Sequence, residues 1–253
     1  MKKLKILFLV LTVGLLLPKL VYAESDNTKF VKVSEKTKYY KTIIMDEHNT
    51  ENKKNLINSN EAKTVEITEK EYNSVDDNSH NAKGPGVTNT DYKKLTTEIY
   101  SNGSYYRYKA TLDWKTMPST RSYDVIGIGN LTNVVYLGNM SFSQYYCISG
   151  GSCHTTTSYY SKSSSTGSGA AFKLPTGNLS VMSQTFSFDV RKNTASTINY
   201  QAAYGDYSHA ITSVTSTQAQ NYSIGTSGIV FSGGIGSYYD NIMPAVATWN
   251  GSW

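Results

Sequence analysis

The sequence predicts an all-β fold, an antiparallel β-sandwich of the jelly-roll or immunoglobulin-like kind, preceded by a charged, partly ordered N-terminal segment. Three observations lead to this prediction. From about residue 91 onward, apolar and polar residues alternate with period two, which is typical of half-buried strands. Turn residues separate these stretches at intervals of roughly 8–12 residues, as in sandwiches. Tyrosine, which favours strands, is abundant, with 21 copies in 253 residues.

The N-terminus has the features of a secretory signal peptide. A lysine-rich start precedes an apolar run over residues 6–17, and the small residue Ala23 precedes a cleavage site. We therefore predict cleavage between Ala23 and Glu24 and a secreted mature protein. An uncleaved anchor is disfavoured, because Lys19 interrupts the apolar run and a helix needs ~20 apolar residues to span a bilayer.

The net charge excludes one class of function. The whole chain carries +5, but four of its lysines precede the predicted cleavage site, so the mature chain carries only +1. Proteins that bind nucleic acid through the phosphate backbone need a basic surface. We therefore expect no nucleic-acid partner.

Residues 24–86 are predicted to form a charged N-terminal segment and linker, with a possible role as a pro-segment. They are rich in charged residues and asparagine and poor in aromatics, so burial can hardly offset the entropy of ordering them. One or two strands are predicted within residues 30–45. A short helix is predicted after Thr68, since Thr68 and Glu71 have capping-box spacing. The sandwich domain is predicted to span residues 87–253.

The strands of this domain follow from the alternation. In residues 105–114, one face collects Tyr106, Tyr108, Ala110, Leu112 and Trp114. Residues 182–190 repeat the pattern, with Phe186, Phe188 and Val190 inward. Further strands are predicted at 92–100, 122–128, 132–137, 140–147, 154–160, 197–204, 208–216, 221–225 and 228–232. Glycine and asparagine pairs, such as Gly138-Asn139, are predicted to form the turns between them.

The two cysteines predict a local disulfide. Cys147 and Cys153 flank a segment of two glycines and two serines, which can turn tightly. An even cysteine count in an exported chain favours pairing. Closing so short a loop should contribute less than the ~3 kcal/mol expected for a 15-residue loop.

A thiol hydrolase is an alternative, with Cys147 as nucleophile and His209 and Asp206 as its partners. The segment 207–211 resembles the histidine-bearing strand of secreted cysteine amidases that cut peptidoglycan. However, Cys147 is not followed by a helix start, and a disulfide would remove its reactivity. No spacing selects a pair of acidic residues, a metal site or a phosphate loop. We therefore predict no catalytic residues, no metal and no cofactor.

The leading hypothesis is non-enzymatic recognition of a cell-surface or cell-wall glycan or protein. Tyrosines occur in adjacent pairs, and neighbours on a strand point to opposite faces, so each pair should expose one ring. Exposed tyrosines provide binding surface at low entropic cost. The predicted ligand-binding residues are Tyr159, Tyr160, Tyr238, Tyr239 and Asp240.

A membrane-active protein is the second hypothesis. The hydroxyl-rich residues 155–169 resemble the amphipathic hairpins of secreted pore-forming toxins, although residues 170–174 alternate only weakly, which favours an exposed flexible hairpin. Membrane contact is expected only in this alternative. An outer-membrane barrel is disfavoured because the outward faces of the predicted strands are polar.

The stretch 207–241 is similar to C-terminal regions of poorly characterised exported proteins of Gram-positive bacteria. The residues that carry this resemblance are His209, Tyr222-Ser223-Ile224-Gly225 and Tyr238-Tyr239-Asp240. The resemblance implies secretion and indicates no mechanism.

Overall fold

The computed structural model describes residues 29–45, 61–75 and 87–253. The predicted signal peptide, its cleavage site and the predicted linker up to residue 86 lie outside the described residues. The described strands are β1 (Val31–Met45), β2 (Glu61–Ile67), β3 (Val87–Ser101), β4 (Tyr106–Trp114), β5 (Tyr123–Asn130), β6 (Val134–Ile148), β7 (Cys153–Thr156), β8 (Tyr160–Ser164), β9 (Gly167–Lys173), β10 (Leu179–Lys192), β11 (Tyr200–Ala210), β12 (Tyr222–Gly225), β13 (Gly228–Phe231), β14 (Tyr239–Asn241) and β15 (Ala245–Asn250). The helices are α1 (Glu69–Asn73), α2 (Ser216–Ala219) and a 3-10 turn at Ile235–Tyr238. No helix in these ranges is long and apolar enough to cross a bilayer.

The strands form two packed antiparallel sheets, which confirms the predicted sandwich. The large sheet has the order β2-β1-β3-β4-β10-β6-β7, and the small sheet has the order β14-β11-β5-β9-β8. β14 and β15 both pair with β11, along the side of β11 opposite to its pairing with β5. β12 and β13 form a separate hairpin.

The core lies between the two sheets. Residues of β4 are alternately buried and half-buried from Tyr106 to Trp114, as the sequence predicted. In β10, Phe186, Phe188 and Val190 are fully buried, also as predicted. The small sheet contributes Ile126, Ile128, Phe172, Ala203 and Tyr207. Because burying one large apolar side chain contributes about 1.5–3 kcal/mol, this shared core holds the two sheets together.

The described part of the charged N-terminal region belongs to the large sheet. β1 pairs with β3 along nearly its whole length and with β2 along its second half. The inward residues Tyr40, Thr42 and Ile44 are buried, while the lysines of β1 stay exposed or half-buried. The domain boundary predicted at residue 86 therefore separates β1 and β2 from β3 in the chain, although β1 pairs with β3 in one sheet.

The helix predicted after Thr68 is confirmed as α1. The Thr68 side chain accepts a hydrogen bond from the Glu71 backbone N–H at 3.1 Å, which satisfies one of the free donors at the helix start.

The predicted turn at Gly138-Asn139 is wrong, because β6 is one continuous strand. Both residues have positive φ, 139° at Gly138 and 54° at Asn139, and the pairing of β6 with β10 shifts in register there. The two residues form an irregularity of the bulge type, which bends a strand without reversing it. Likewise, β11 replaces the two strands predicted at 197–204 and 208–216.

β9 differs from the exposed hairpin that the sequence predicted. β8 is exposed along its length, but the first six residues of β9 are buried, and β9 lies between β5 and β8. Glycine, serine and alanine dominate β9. Their small size allows close packing, yet they give no period-two signal.

The β12–β13 hairpin packs on a glycine platform at the outer face of the small sheet. The platform consists of the cross-strand pairs Gly127–Gly169 and Gly129–Gly167. A Cβ at Gly129 would lie 2.0 Å from the Gly225 carbonyl oxygen. Side chains are therefore excluded from this contact.

Candidate functional site

A cleft opens at the side of the sandwich where β7 and β8 are the edge strands. The chain crosses there from the large sheet to the small one, and the two sheets leave a space of about 490 Å³. Small-molecule sites commonly have ~300–1,000 Å³. We call it the tyrosine cleft, after Tyr123, Tyr146 and Tyr160, which line it.

Gln144 forms the polar part of the cleft floor and connects the two sheets. It is 3% exposed, and its amide donates to the backbone carbonyl of Lys173 on β9 at 3.1 Å. Gln184 donates to the Gln144 side-chain oxygen at 3.2 Å, and Trp114 donates to the Gln184 oxygen at 3.0 Å. A buried polar group costs free energy unless it is paired, so this chain of bonds fixes the floor.

Tyrosine rings form the cleft walls. Tyr123 and Tyr160 have their ring centroids 6.4 Å apart at 47°. Opposite them, the Tyr146 ring stacks on His154 at 5.4 Å. Phe172 and Leu174 add an apolar floor and are each 1% exposed. Tyrosine combines an apolar face with a hydroxyl, so the walls can contact apolar and polar groups of one ligand.

The disulfide holds one wall in position. Cys147 and Cys153 are bonded, as predicted, at directly paired positions of β6 and β7. Cys147 is the chain neighbour of the wall residue Tyr146, and Cys153 is the chain neighbour of His154, on which the Tyr146 ring stacks. The His154 ring is further held by Ser152, whose hydroxyl lies 2.8 Å from Nε2.

The charge of the lining restricts its chemistry. The groups around the rings are mainly amides and hydroxyls, Lys173 is a cation, and no carboxylate is among the lining residues. Hydrolysis of a glycosidic bond by the usual route needs two carboxyl groups. The described lining does not contain such a pair.

Of the predicted ligand-binding residues, Tyr160 lies in the cleft and is 45% exposed. Tyr159 is half-buried against Phe142, and Tyr238 is exposed on the 3-10 turn at a separate place. Tyr239 is buried, and its hydroxyl donates to the Tyr123 carbonyl oxygen at 3.1 Å.

Asp240 is fully buried in the interior, so we remove it, with Tyr239, from the predicted binding surface. Its side chain contacts the ammonium of Lys93, which is fully buried as well. Oδ2 of Asp240 also accepts from the Thr42 hydroxyl at 3.0 Å, and Oδ1 accepts from the His209 backbone N–H at 2.8 Å. These contacts connect both sheets through one carboxyl group.

A second buried carboxyl group, Asp124, adjoins this pair. Its Oδ2 lies 2.9 Å from His209 Nδ1 and accepts from the Tyr207 hydroxyl at 2.6 Å. Burial by itself lowers the pKa of His209, but the charge and the hydrogen bond of Asp124 raise it above its ordinary value. We call Lys93, Asp124, His209 and Asp240 the interior polar cluster.

Asp206 is a third buried carboxyl group. Its oxygens accept from the backbone N–H groups of Tyr207 at 2.8 Å and of Ile229 at 2.6 Å. Burial raises the pKa of Asp206 to about 7, and the negative charge of Asp240 acts in the same direction. Both N–H bonds and the charge of Lys93 oppose this shift.

The residues of the thiol hydrolase hypothesis have separate roles in the structure. Cys147 is bonded to Cys153, so no thiolate is present. His209 is fully buried with its ring edge-on to Trp114 at 5.1 Å and its Nδ1 beside Asp124. Asp206 holds the backbone instead of the histidine ring.

Sequence reasoning missed Gln144, Tyr146 and Tyr123 as members of one site. Tyr146 belongs to the adjacent tyrosine pair Tyr145-Tyr146. This pattern predicts one exposed ring, which is that of Tyr145, but it does not predict that the Tyr146 ring faces the gap between the sheets. Neither a family model nor a curated protein matches this sequence. In the described ranges, no three histidine, cysteine or acidic side chains converge to hold a metal ion.

Proposed function

We propose that this protein is secreted and binds an extracellular glycan, such as a cell-wall polysaccharide, in the tyrosine cleft, without catalysing a reaction. The observation that carries the proposal is the arrangement of three tyrosine rings around a fixed amide floor. Sugars present apolar C–H faces together with rings of hydroxyls. The cleft offers the matching groups, since Tyr160 and Tyr146 supply faces and the hydroxyls of Thr156 and Ser158 supply polar atoms.

The charges and the disulfide support the same proposal. With Lys173 as a cation and no carboxylate in the lining, the cleft suits a neutral or acidic glycan better than a basic ligand. A disulfide persists in oxidising compartments outside the cytosol, which agrees with the export predicted from the N-terminus. Because β7 is tied to β6 by that bond, the wall is preorganised, and preorganisation lowers the cost of binding.

Binding can be measured with the full chain. The first step is a pull-down with insoluble peptidoglycan, chitin, cellulose and β-glucan, followed by calorimetric titration with soluble fragments of any polymer that retains the protein. We expect Tyr160→Ala to weaken binding at least tenfold, about 1.4 kcal/mol, as for a buried aromatic contact in an interface.

Tyr105→Ala is the matched control. Tyr105 is 44% exposed, like Tyr160 at 45%, but it precedes β4 and does not line the cleft. We expect this variant to bind as the unchanged protein does. Equal losses in both variants, or no loss in Tyr160→Ala, would remove the cleft assignment, and retention by none of the polymers would remove the glycan itself.

A further inference from the structure

We propose that Lys93 and Asp240 form an intramolecular amide bond, between Nζ and Cγ, that covalently joins β3 of the large sheet to β14 of the small sheet. This proposal is independent of glycan binding. It rests on the placement of the two side chains and on the groups that surround them.

The pair differs from every other lysine–carboxylate pair in the described residues. The side chains of Lys93 and Asp240 are both 0% exposed, whereas each of the other pairs keeps at least one side chain accessible to water. The Trp114 ring lies 5.2 Å from Nζ, so an aromatic wall closes one side. The reacting groups are therefore in direct contact in a space from which water is excluded.

Burial favours the neutral product over the two ions. Each buried charge carries a desolvation penalty of several kcal/mol, which their mutual attraction offsets only in part. An amide has no net charge and keeps one donor and one acceptor. Its carbonyl oxygen would be Oδ1 of Asp240, which already accepts from the His209 N–H at 2.8 Å.

The reaction is balanced without any further reagent. The ammonium of Lys93 transfers one proton to the carboxylate, which gives a neutral amine and a neutral acid. The amine lone pair attacks Cγ, and the resulting oxyanion on Oδ1 is stabilised by the His209 N–H. A second proton moves from nitrogen to Oδ2, the C–O bond to Oδ2 breaks, and one water leaves.

Thr42 is placed to relay that second proton. Its hydroxyl lies 3.0 Å from Oδ2, the leaving oxygen, and 2.9 Å from the Thr64 hydroxyl. Holding the reactants in contact supplies the rest of the acceleration, because positioned groups react with high effective concentration.

Intact mass measures the bond directly. The full chain is purified, its N-terminus is sequenced, and its mass is recorded after complete reduction and denaturation. We expect the mass to be lower than the sequence sum by one water. Lys93→Met should have the full sum. Asp240→Asn can form the same amide with loss of ammonia instead of water. If it reacts, its mass equals that of the cross-linked unchanged chain, and if it does not, its mass equals the sum for its own sequence.

A cleavage experiment tests for the bond with Lys93 and Asp240 both in place and uses Lys93→Met as the control. A protease site is inserted in the exposed loop 193–197, between the two partners, where the disulfide cannot join the fragments. After cleavage, reduction and denaturation, the two fragments should stay joined on a gel. The same insertion in Lys93→Met should give two separate fragments.

Three results would overturn the proposal. The first is an unchanged chain whose mass equals the sum for its sequence. The second is a Lys93→Met variant whose mass is still lower than its own sum by one water, and the third is separation of the cleaved fragments of the unchanged chain. None of these results bears on the tyrosine cleft, so they leave glycan binding open to its own test.

Discussion

The two sides of this sandwich use polar groups in opposite ways. On one side, the interior polar cluster is fully buried. Most polar atoms of Lys93, Asp240 and His209 have hydrogen-bond or ion-pair partners within the protein. On the other side, Tyr146 and Tyr160 line an open cleft and face solvent. The first arrangement is closed to solvent, whereas the second leaves a cleft open above the Gln144 floor.

This difference separates groups that are paired within the protein from groups that keep an exposed surface. Buried, paired groups stabilise the folded state. Removing one partner leaves the other buried without a compensating interaction, which lowers the free energy of unfolding. Rings at the cleft retain unused contact surface, which a ligand can cover. Changes on the closed side should therefore alter stability, while changes on the open side should alter binding.

The largest effect is expected for Asp240→Ala. This change leaves the Lys93 ammonium buried without a carboxylate, and it should lower the free energy of unfolding by about 3–5 kcal/mol. Chemical denaturation measures the loss. The double variant Lys93→Met/Asp240→Leu should be less destabilised than the single one, and a double variant as unstable as Asp240→Ala would contradict this account.

The next effect is a pH dependence due to Asp206. Its pKa of about 7 in the folded state lies above the ordinary 3.8, so the folded protein binds this proton more tightly than the unfolded chain. The contribution to stability is complete below about pH 4 and is lost as the pH rises to about 7, by a few kcal/mol in total.

Denaturation midpoints from pH 4 to 8 test this sign. The raised pKa of His209 acts in the same direction, since its contribution also disappears as pH rises through the folded-state value. Asp206→Asn should reduce the slope, whatever its absolute stability. An unchanged slope would show that Asp206 does not titrate in this window.

A smaller effect on stability is expected from the disulfide. Replacing Cys147 and Cys153 by serine opens a loop with a sequence separation of six, which should cost about 2 kcal/mol in the chain-entropy account. Glycan affinity should fall as well, because Tyr146 and the His154 ring on which it stacks should be less ordered. Calorimetry before and after the change measures both, and full affinity in a destabilised variant would mean that the wall is held by other contacts.

The smallest effect on stability is expected for Tyr160→Ala. The side chain is 45% exposed on the edge strand β8, and exposed substitutions usually stay within about 0.5 kcal/mol. Its thermal midpoint should match that of the unchanged protein, while its binding falls. A large drop in the midpoint would place Tyr160 among the structural residues.

The sequence predicted side-chain burial correctly where one face of a strand is buried and the other faces solvent. The alternation in β4 and β10 predicted the buried faces correctly. The tyrosine pairs also expose one ring each at Tyr105-Tyr106 and Tyr238-Tyr239, where the first ring is exposed and the second is buried. The alternation in β4 and β10 follows from strand geometry, whereas Tyr105 precedes β4 and Tyr238 lies on the 3-10 turn.

Other features depend on contacts that are distant in sequence. β9 is buried through small residues under a hairpin formed much later in the chain, so hydrophobicity could not indicate it. Asp240 and Lys93 each look like surface residues in their own segments, and only the packing of the two sheets brings them together. The tyrosine cleft likewise combines β5, β6 and β8, which no local pattern relates.

The glycine platform has a consequence for recognising distant relatives of this fold. Because the Gly225 backbone and the Ile224 side chain of β12 lie directly on β5 and β9, the glycines of the triplets 127–129 and 167–169 cannot accept a side chain unless the hairpin or its Ile224 side chain moves. We therefore expect these four glycines to be retained in related sequences, while exposed side chains such as Tyr160 can change. Two Gly-X-Gly triplets at this spacing, followed later in the chain by a short hairpin closed by glycines, give a search pattern for homologues whose overall sequence identity has been lost.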